Sequence, residues 1–232
     1  MRIISNVKYD LNTIGIESDC EVHCIHVQIL DFKNRAEEMI TTISDNSWIS
    51  KFSGTTRKSF KARAQRTIEK LVNDILKKVD SEITVEFGEF LISDTAQLAL
   101  MRGHSHFKVP LAELFGRKVT GNPGFDFHTE SSKNLIIFGE AKYSCESTPR
   151  AKALSQIVKF IELEKDNAEL IILEHFVSSK AMKNADEDKK GYVAAFSLNS
   201  DNPELIFKNA LKSEVVVKLL TFPELYLIAI QI

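Results

Sequence analysis

The chain reads as an α/β protein with a mixed central sheet flanked by helices, extended at its amino terminus by a further α/β segment. Three observations predict this. Leu135-Ile136-Ile137-Phe138 is apolar at consecutive positions, the mark of a strand covered on both faces. Gly191–Leu198 and Leu225–Ile230 share that character. Around them lie segments whose apolar residues recur at helical spacing, several opened by a capping signal.

Composition bounds the function. The 232 residues suit one elaborated domain, or a core plus an appendage. A hydrophobic content of 44% with 27% charged residues excludes wholesale disorder. The formal charge of −2 means that any nucleic-acid surface is a local patch. No apolar run approaches the ~20 residues that cross a bilayer. Met1–Asp10 lacks the apolar core of a signal peptide. Cys20, Cys24 and Cys145 show no framework spacing and fit a reduced compartment. A cytoplasmic protein without a membrane partner is expected.

Cys20-Glu21-Val22-His23-Cys24-Ile25-His26-Val27 resembles a metal cluster at first sight, but structural zinc sites usually need a second, separated ligand pair, and none follows. Alternation makes it an edge strand, with Val22, Cys24 and His26 on one face and His23, Ile25 and Val27 on the other. Lys51 to Arg66 then carries Lys51, Arg57, Lys58, Lys61, Arg63 and Arg66 with no acid. Such a segment contacts phosphates or a partner, or is a solvated helix face, and charge alone does not separate these readings. Ile68, Leu71, Val72, Ile75, Leu76 and Val79 recur as one apolar helix stripe. The division expected is 1–80 as an extension or partner-binding module and 81–232 as the core.

Asp80 or Ser81 can cap the next helix, which carries Phe87, Phe90, Leu91 and Leu98 on one side and Glu86, Glu89, Ser93 and Gln97 on a polar side. Gly88 inside it costs about 1 kcal/mol relative to Ala, which points to close approach of another element. Gly121-Asn122-Pro123-Gly124 signals a turn, Phe125-Asp126-Phe127 alternates as a strand, and His128 to Asn134 is polar and turn-like.

The buried strand from Leu135 to Tyr143 is interrupted by Glu140 and Lys142, two apart and so on one face. Buried charges are tolerated when paired or metal-bound. In a hairpin with Phe125-Asp126-Phe127, Asp126 comes beside Glu140, and two adjacent carboxylates raise one another's pKa. A hard dication such as Mg²⁺ relieves that repulsion, and Lys142 then stabilises negative charge on a phosphate and orients water.

Thr148-Pro149 opens a helix with a stripe of Leu154, Ile157, Val158 and Ile161, leaving Gln156 off the stripe. Glu169 to Phe176 fits a strand and a buried helix equally. Asn184 to Lys190 is a charged loop, Gly191–Leu198 a core strand, Asn202-Pro203 a helix start, and Leu225–Ile230 a final strand.

Gly124-Phe125-Asp126 followed by Gly139-Glu140-Ala141-Lys142-Tyr143, with thirteen residues between the two acids, resembles the PD-(D/E)XK nuclease superfamily and its restriction-endonuclease-like fold. Phe125 stands where the motif has Pro. The resemblance implies Asp126 and Glu140 as ligands of catalytic Mg²⁺, which Mn²⁺ can replace, with the carbonyl of Ala141 completing the site. It implies Lys142 as catalytic base or electrostatic partner, a further acid from the preceding helix (Glu89, or else Glu86), and Gln156 as a weak helix candidate. Size, the Phe87-Gly88-Glu89-Phe90-Leu91 helix and the closing Glu224-Leu225-Tyr226-Leu227 strand are similar to the nuclease-subunit family of the bacterial Hachiman antiphage system. That similarity implies a DNase effector held in a hetero-complex by a superfamily 2 helicase. The alternatives are a restriction or repair endonuclease, and a decayed nuclease fold that only binds DNA or protein.

Overall fold

A computed structural model describes residues 1–70, 72, 84–115, 124–144 and 149–232. Seven strands form one mixed sheet: β1 (Arg2–Tyr9), β2 (Glu21–Gln28), β3 (Phe107–Lys108), β4 (Phe127–Glu130), β5 (Ile136–Lys142), β6 (Lys190–Ser197) and β7 (Glu224–Gln231). Their spatial order is β1-β2-β7-β6-β5-β4-β3. The four inner strands β2, β7, β6 and β5 run parallel, and β1, β4 and β3 are added antiparallel. The α/β class and the mixed sheet with flanking helices are as the sequence predicts.

The described helices are α1 (Phe32–Ser44), α2 (Gly54–Lys70), α3 (Val85–His104), α4 (Ala112–Phe115), α5 (Pro149–Glu162), α6 (Lys165–Leu173), α7 (Ser179–Asp186), α8 (Pro203–Leu211) and α9 (Glu214–Leu219). The chain passes from β5 to β6 through α5, α6 and α7, and from β6 to β7 through α8 and α9. Both faces of the sheet are therefore covered. Ile136, Phe138, Ala194 and Leu227 pack with Ala153, Leu154, Ile157 and Phe160 of α5 and with Phe207 and Leu219. Ile25, Ile137, Ala141, Val193 and Ile228 pack on the other side with Met39 of α1 and with Phe87, Leu91 and Ala96 of α3.

Several local expectations need correction. The Cys20–Val27 strand is not an edge: β1, which lacks a clear periodic signal, pairs with it on one side and β7 on the other. Its faces alternate as expected, and burial pushes the thiols of Cys20 and Cys24 up to about 12, so both are inert. The polar side assigned to α3 is largely internal, because Ser93 and Gln97 are buried. Gln97 Nε2 instead donates to the carbonyls of Val109 (2.8 Å) and His128 (2.9 Å), joining α3 to the sheet. The turn-like segment after Phe127 continues as strand to Glu130, with the reversal confined to Ser131–Leu135.

Glu169 to Phe176 resolves as the end of α6 followed by a turn. Lys190 is a buried start of β6 rather than loop, neutralised by Asp166 at 2.9 Å. Thr84 caps α3 by accepting from Phe87 N–H. The proposed caps Asp80, Ser81 and Thr148, the turn at 121–123, Cys145 and most of the helix stripe after Ile68 lie outside the described residues. Among the described residues no helix is long and apolar enough to cross a membrane.

Candidate active site at the carboxyl end of a central strand

Ligands of parallel α/β sheets sit beyond the carboxyl ends of their strands. At that end of β5, Asp126 and Gly139-Glu140-Ala141-Lys142 meet. The hairpin fixes the register: Phe127 faces Gly139, Asp126 N–H donates to the Gly139 carbonyl at 2.9 Å, and Asp126 Oδ2 accepts from Ala141 N–H at 2.9 Å. Gly139 is required there, because a Cβ would stand 2.3 Å from the Phe127 ring.

Lys142 Nζ is the hub. It lies 2.5 Å from Glu140 Oε1, 3.0 Å from the Ala141 carbonyl, 3.5 Å from Glu89 Oε1 and 4.0 Å from Asp126 Oδ2. Glu89 reaches the strand end from the first turns of α3, whose approach depends on Gly88: a Cβ there would lie 2.2 Å from Tyr143 Cγ. Glu86 is exposed and outside this group. Gln156 is half-buried on α5, and no contact among the described residues ties it to the four. Arg57, Lys58, Lys61 and Arg63 lie exposed on α2, anchored by buried Phe60 and Ala64. Helix α2 packs on α4, whose Ala112 N–H donates to the Asp126 carbonyl at 3.3 Å.

Electrostatics follow from burial. The Glu140 side chain is fully buried. Burial first, then the neighbouring Asp126 carboxylate, push its pKa well above the carboxylate range, against the pull of Lys142. Burial alone would lower Lys142, but Glu140, Asp126 and Glu89 outweigh it and hold its pKa up. The second oxygen of Glu140, Oε2, is buried and finds no hydrogen-bond partner among the described residues. An unpartnered buried carboxylate oxygen costs several kcal/mol unless something positive reaches it.

The donors here are all oxygen: the Glu140 carboxylate on β5, the Asp126 carboxylate just before β4, a backbone carbonyl and a helix carboxylate. That chemistry fits a hard dication, and the orphaned Glu140 oxygen fits it too. As the side chains stand, however, no group of three or more His, Cys, Asp or Glu among the described residues is arranged to hold a metal. Lys142 occupies the centre instead.

Two residues outside the sequence reading hold the site. Glu169 of α6 accepts from Phe125 N–H at 2.9 Å through Oε1 and bonds His128 Nε2 at 2.6 Å through Oε2. It clamps the backbone immediately before Asp126. Gly124 leaves room for this carboxylate, since a Cβ would sit 2.0 Å from it. The strand/helix ambiguity of Glu169–Phe176 hid Glu169, and the polar look of His128–Asn134 hid His128. Compared with family models, with curated proteins and with solved structures, the chain finds no match.

Proposed function

We propose that this protein is a metal-dependent DNase with a restriction-endonuclease-like core, acting as the effector of a bacterial, cytoplasmic antiphage complex under a superfamily 2 helicase. The observation that carries the hydrolytic reading is the buried Glu140 oxygen, without a partner among the described residues, beside Asp126, Glu89 and Lys142 at one strand end. Bound Mg²⁺ would supply charge neutralisation on the phosphate and a more acidic water. Glu140, Asp126 and the Ala141 carbonyl would hold it, with Glu89 joining from α3. Lys142, released from Glu140, would place its ammonium on the phosphate oxygens and hold the attacking water. The exposed cations of α2, adjoining α4 and through it Asp126, would track the DNA backbone.

A second reading is favoured by one observation. Lys142 sits among the carboxylates where the cation would go, which also suits a decayed site that binds DNA or protein without hydrolysis. Incubating the purified protein with supercoiled plasmid and with single-stranded circular DNA, in Mg²⁺, Mn²⁺ or EDTA, separates the two. Cleavage that needs the metal and disappears in Glu140→Gln supports the nuclease. Salt-sensitive DNA retention without cleavage, with or without a helicase partner, supports the decayed site.

A further inference from the structure

On the α1 and α4 side lies a cavity of about 350 Å³ with no role in the chemistry above. Its walls are Ile43, Leu111, Leu114 and Val177, with Trp48 and Phe52 of the 3₁₀ turn Ser47–Lys51 and its edge. This volume is that of a small-molecule site. Trp48 is held by Phe60 and Phe176 at ring-centroid distances of 5.7 and 5.5 Å, so the aromatic wall is fixed rather than collapsible. Its indole Nε1 is buried and has no acceptor among the described residues.

Lys51, Lys108 and Asp45 are the charged residues of the lining. Lys108 shares the buried carboxylate of Asp94 with the buried guanidinium of Arg35, so two cations draw on one anion behind the wall. Glu38, 3.6 Å from Arg35, is on the exposed side. Lys51 has no acid within salt-bridge distance among the described residues. Lys51, engaged by no carboxylate among the described residues, and the orphaned indole N–H of Trp48 together favour an apolar body that carries one negative group.

We infer that this cavity is a binding site for a small aromatic or aliphatic anion, its apolar part against Trp48, Leu111 and Val177 and its charge between Lys51 and Lys108. Between the lining residues Leu111 and Leu114 lies Ala112, whose N–H donates to the Asp126 carbonyl at 3.3 Å just before β4. The inference does not depend on the nuclease reading.

Trp48 is the only tryptophan of the chain, which makes it the reporter. The probe is 8-anilinonaphthalene-1-sulfonate, compared with uncharged N-phenyl-1-naphthylamine. The expected result is saturable 1:1 binding with dye emission sensitised by Trp48. Loss of the charge, in the uncharged probe or in Lys51→Ala, should weaken binding about tenfold, the equivalent of ~1.4 kcal/mol. Val177→Phe should fill the cavity and remove binding. If that variant fails to fold, exposed Lys51→Ala carries the test alone. Equal affinity for both probes, no effect of Lys51→Ala, or binding that does not saturate overturns the inference.

Discussion

Lys142 Nζ lies 2.5 Å from Glu140 Oε1 and 3.0 Å from the carbonyl oxygen of Ala141, and so rests on two of the oxygens that a dication would take. Mg²⁺ binds its oxygens at about 2.0–2.1 Å, and an ammonium in hydrogen-bond contact with the same atoms leaves it no room. An ion entering this site would therefore compete with the ammonium, and Lys142 would have to rotate away. Lys142→Met should bind Mn²⁺ more tightly than the wild type, by about tenfold for a competitor held by ~1.4 kcal/mol. It should lose cleavage. Without metal it should be destabilised by roughly 3 kcal/mol, because the buried Glu140 is left uncompensated, and Mn²⁺ should restore the melting temperature. Calorimetric titration and thermal melts with and without Mn²⁺ read this. A Lys142→Met protein with unchanged or weaker Mn²⁺ affinity would refute the competition.

Gly88 and Tyr143 form a pair that admits no methyl group. Alanine at 88 gains about 1 kcal/mol of helix propensity but drives a Cβ into the Tyr143 ring. Overpacking of this kind costs roughly 1–3 kcal/mol, so Gly88→Ala should be net destabilising. In a Tyr143→Ala background the same change should become neutral or stabilising. A double-mutant cycle in urea reads the coupling, and additive effects would show that the ring does not rest on Gly88.

The sequence carried the fold wherever one residue class dominated a stretch. Strand β5 was legible because Leu135 to Phe138 is apolar on both faces, and α8 because Asn202 and Pro203 form a cap and first turn. Asp126, Glu140 and Lys142 were legible as a group because charges on a buried strand demand partners, whereas only the family resemblance pointed to Glu89. Strand β1 was not legible: Arg2–Tyr9 is an outer strand whose side chains alternate only weakly in burial, so its pairing with β2 is a tertiary fact. Nor could spacing reveal Glu169, which reaches Phe125 across 44 residues.

Glu169 should therefore behave as a positioning residue. It touches neither Glu140 nor Lys142, yet it bonds Phe125 N–H and His128 together. Glu169→Ala should cost roughly 2 kcal/mol, the penalty of leaving a buried N–H and a paired imidazole unsatisfied. By loosening the backbone at Asp126 it should also lower Mn²⁺ affinity. Glu169→Gln keeps an acceptor for Phe125 N–H and should recover most of that affinity, measured by Mn²⁺ titration. Equal loss in both variants would assign the residue a purely electrostatic role.

His106, His23 and His104 form a cluster of imidazoles whose pKa values burial lowers. His106 sits between Thr129 Oγ1 at 2.9 Å and the hydroxyl of Tyr226 at 3.1 Å, while Tyr226 donates to Glu224 Oε2 at 3.1 Å. His23 and His104 pack against each other at 4.5 Å and against the Tyr226 ring at 5.2 Å, with Glu21, Lys8 and Lys133 at the margin. Burial first, then the neighbouring imidazoles, hold His106 down to about 3, and burial likewise holds His23 down to about 4. Unfolded histidine titrates near 6.5. Between that value and the folded ones the unfolded chain binds protons that the native chain refuses, so this part of the stability is complete above about pH 6.5 and is lost as the pH falls. For His106, which is nearly enclosed, the loss by pH 4 should be roughly 3 kcal/mol. His106→Asn should start less stable at pH 7 but fall less steeply, which urea midpoints at pH 7, 6, 5 and 4 will show. Parallel curves for variant and wild type would mean that the acid sensitivity resides in other groups.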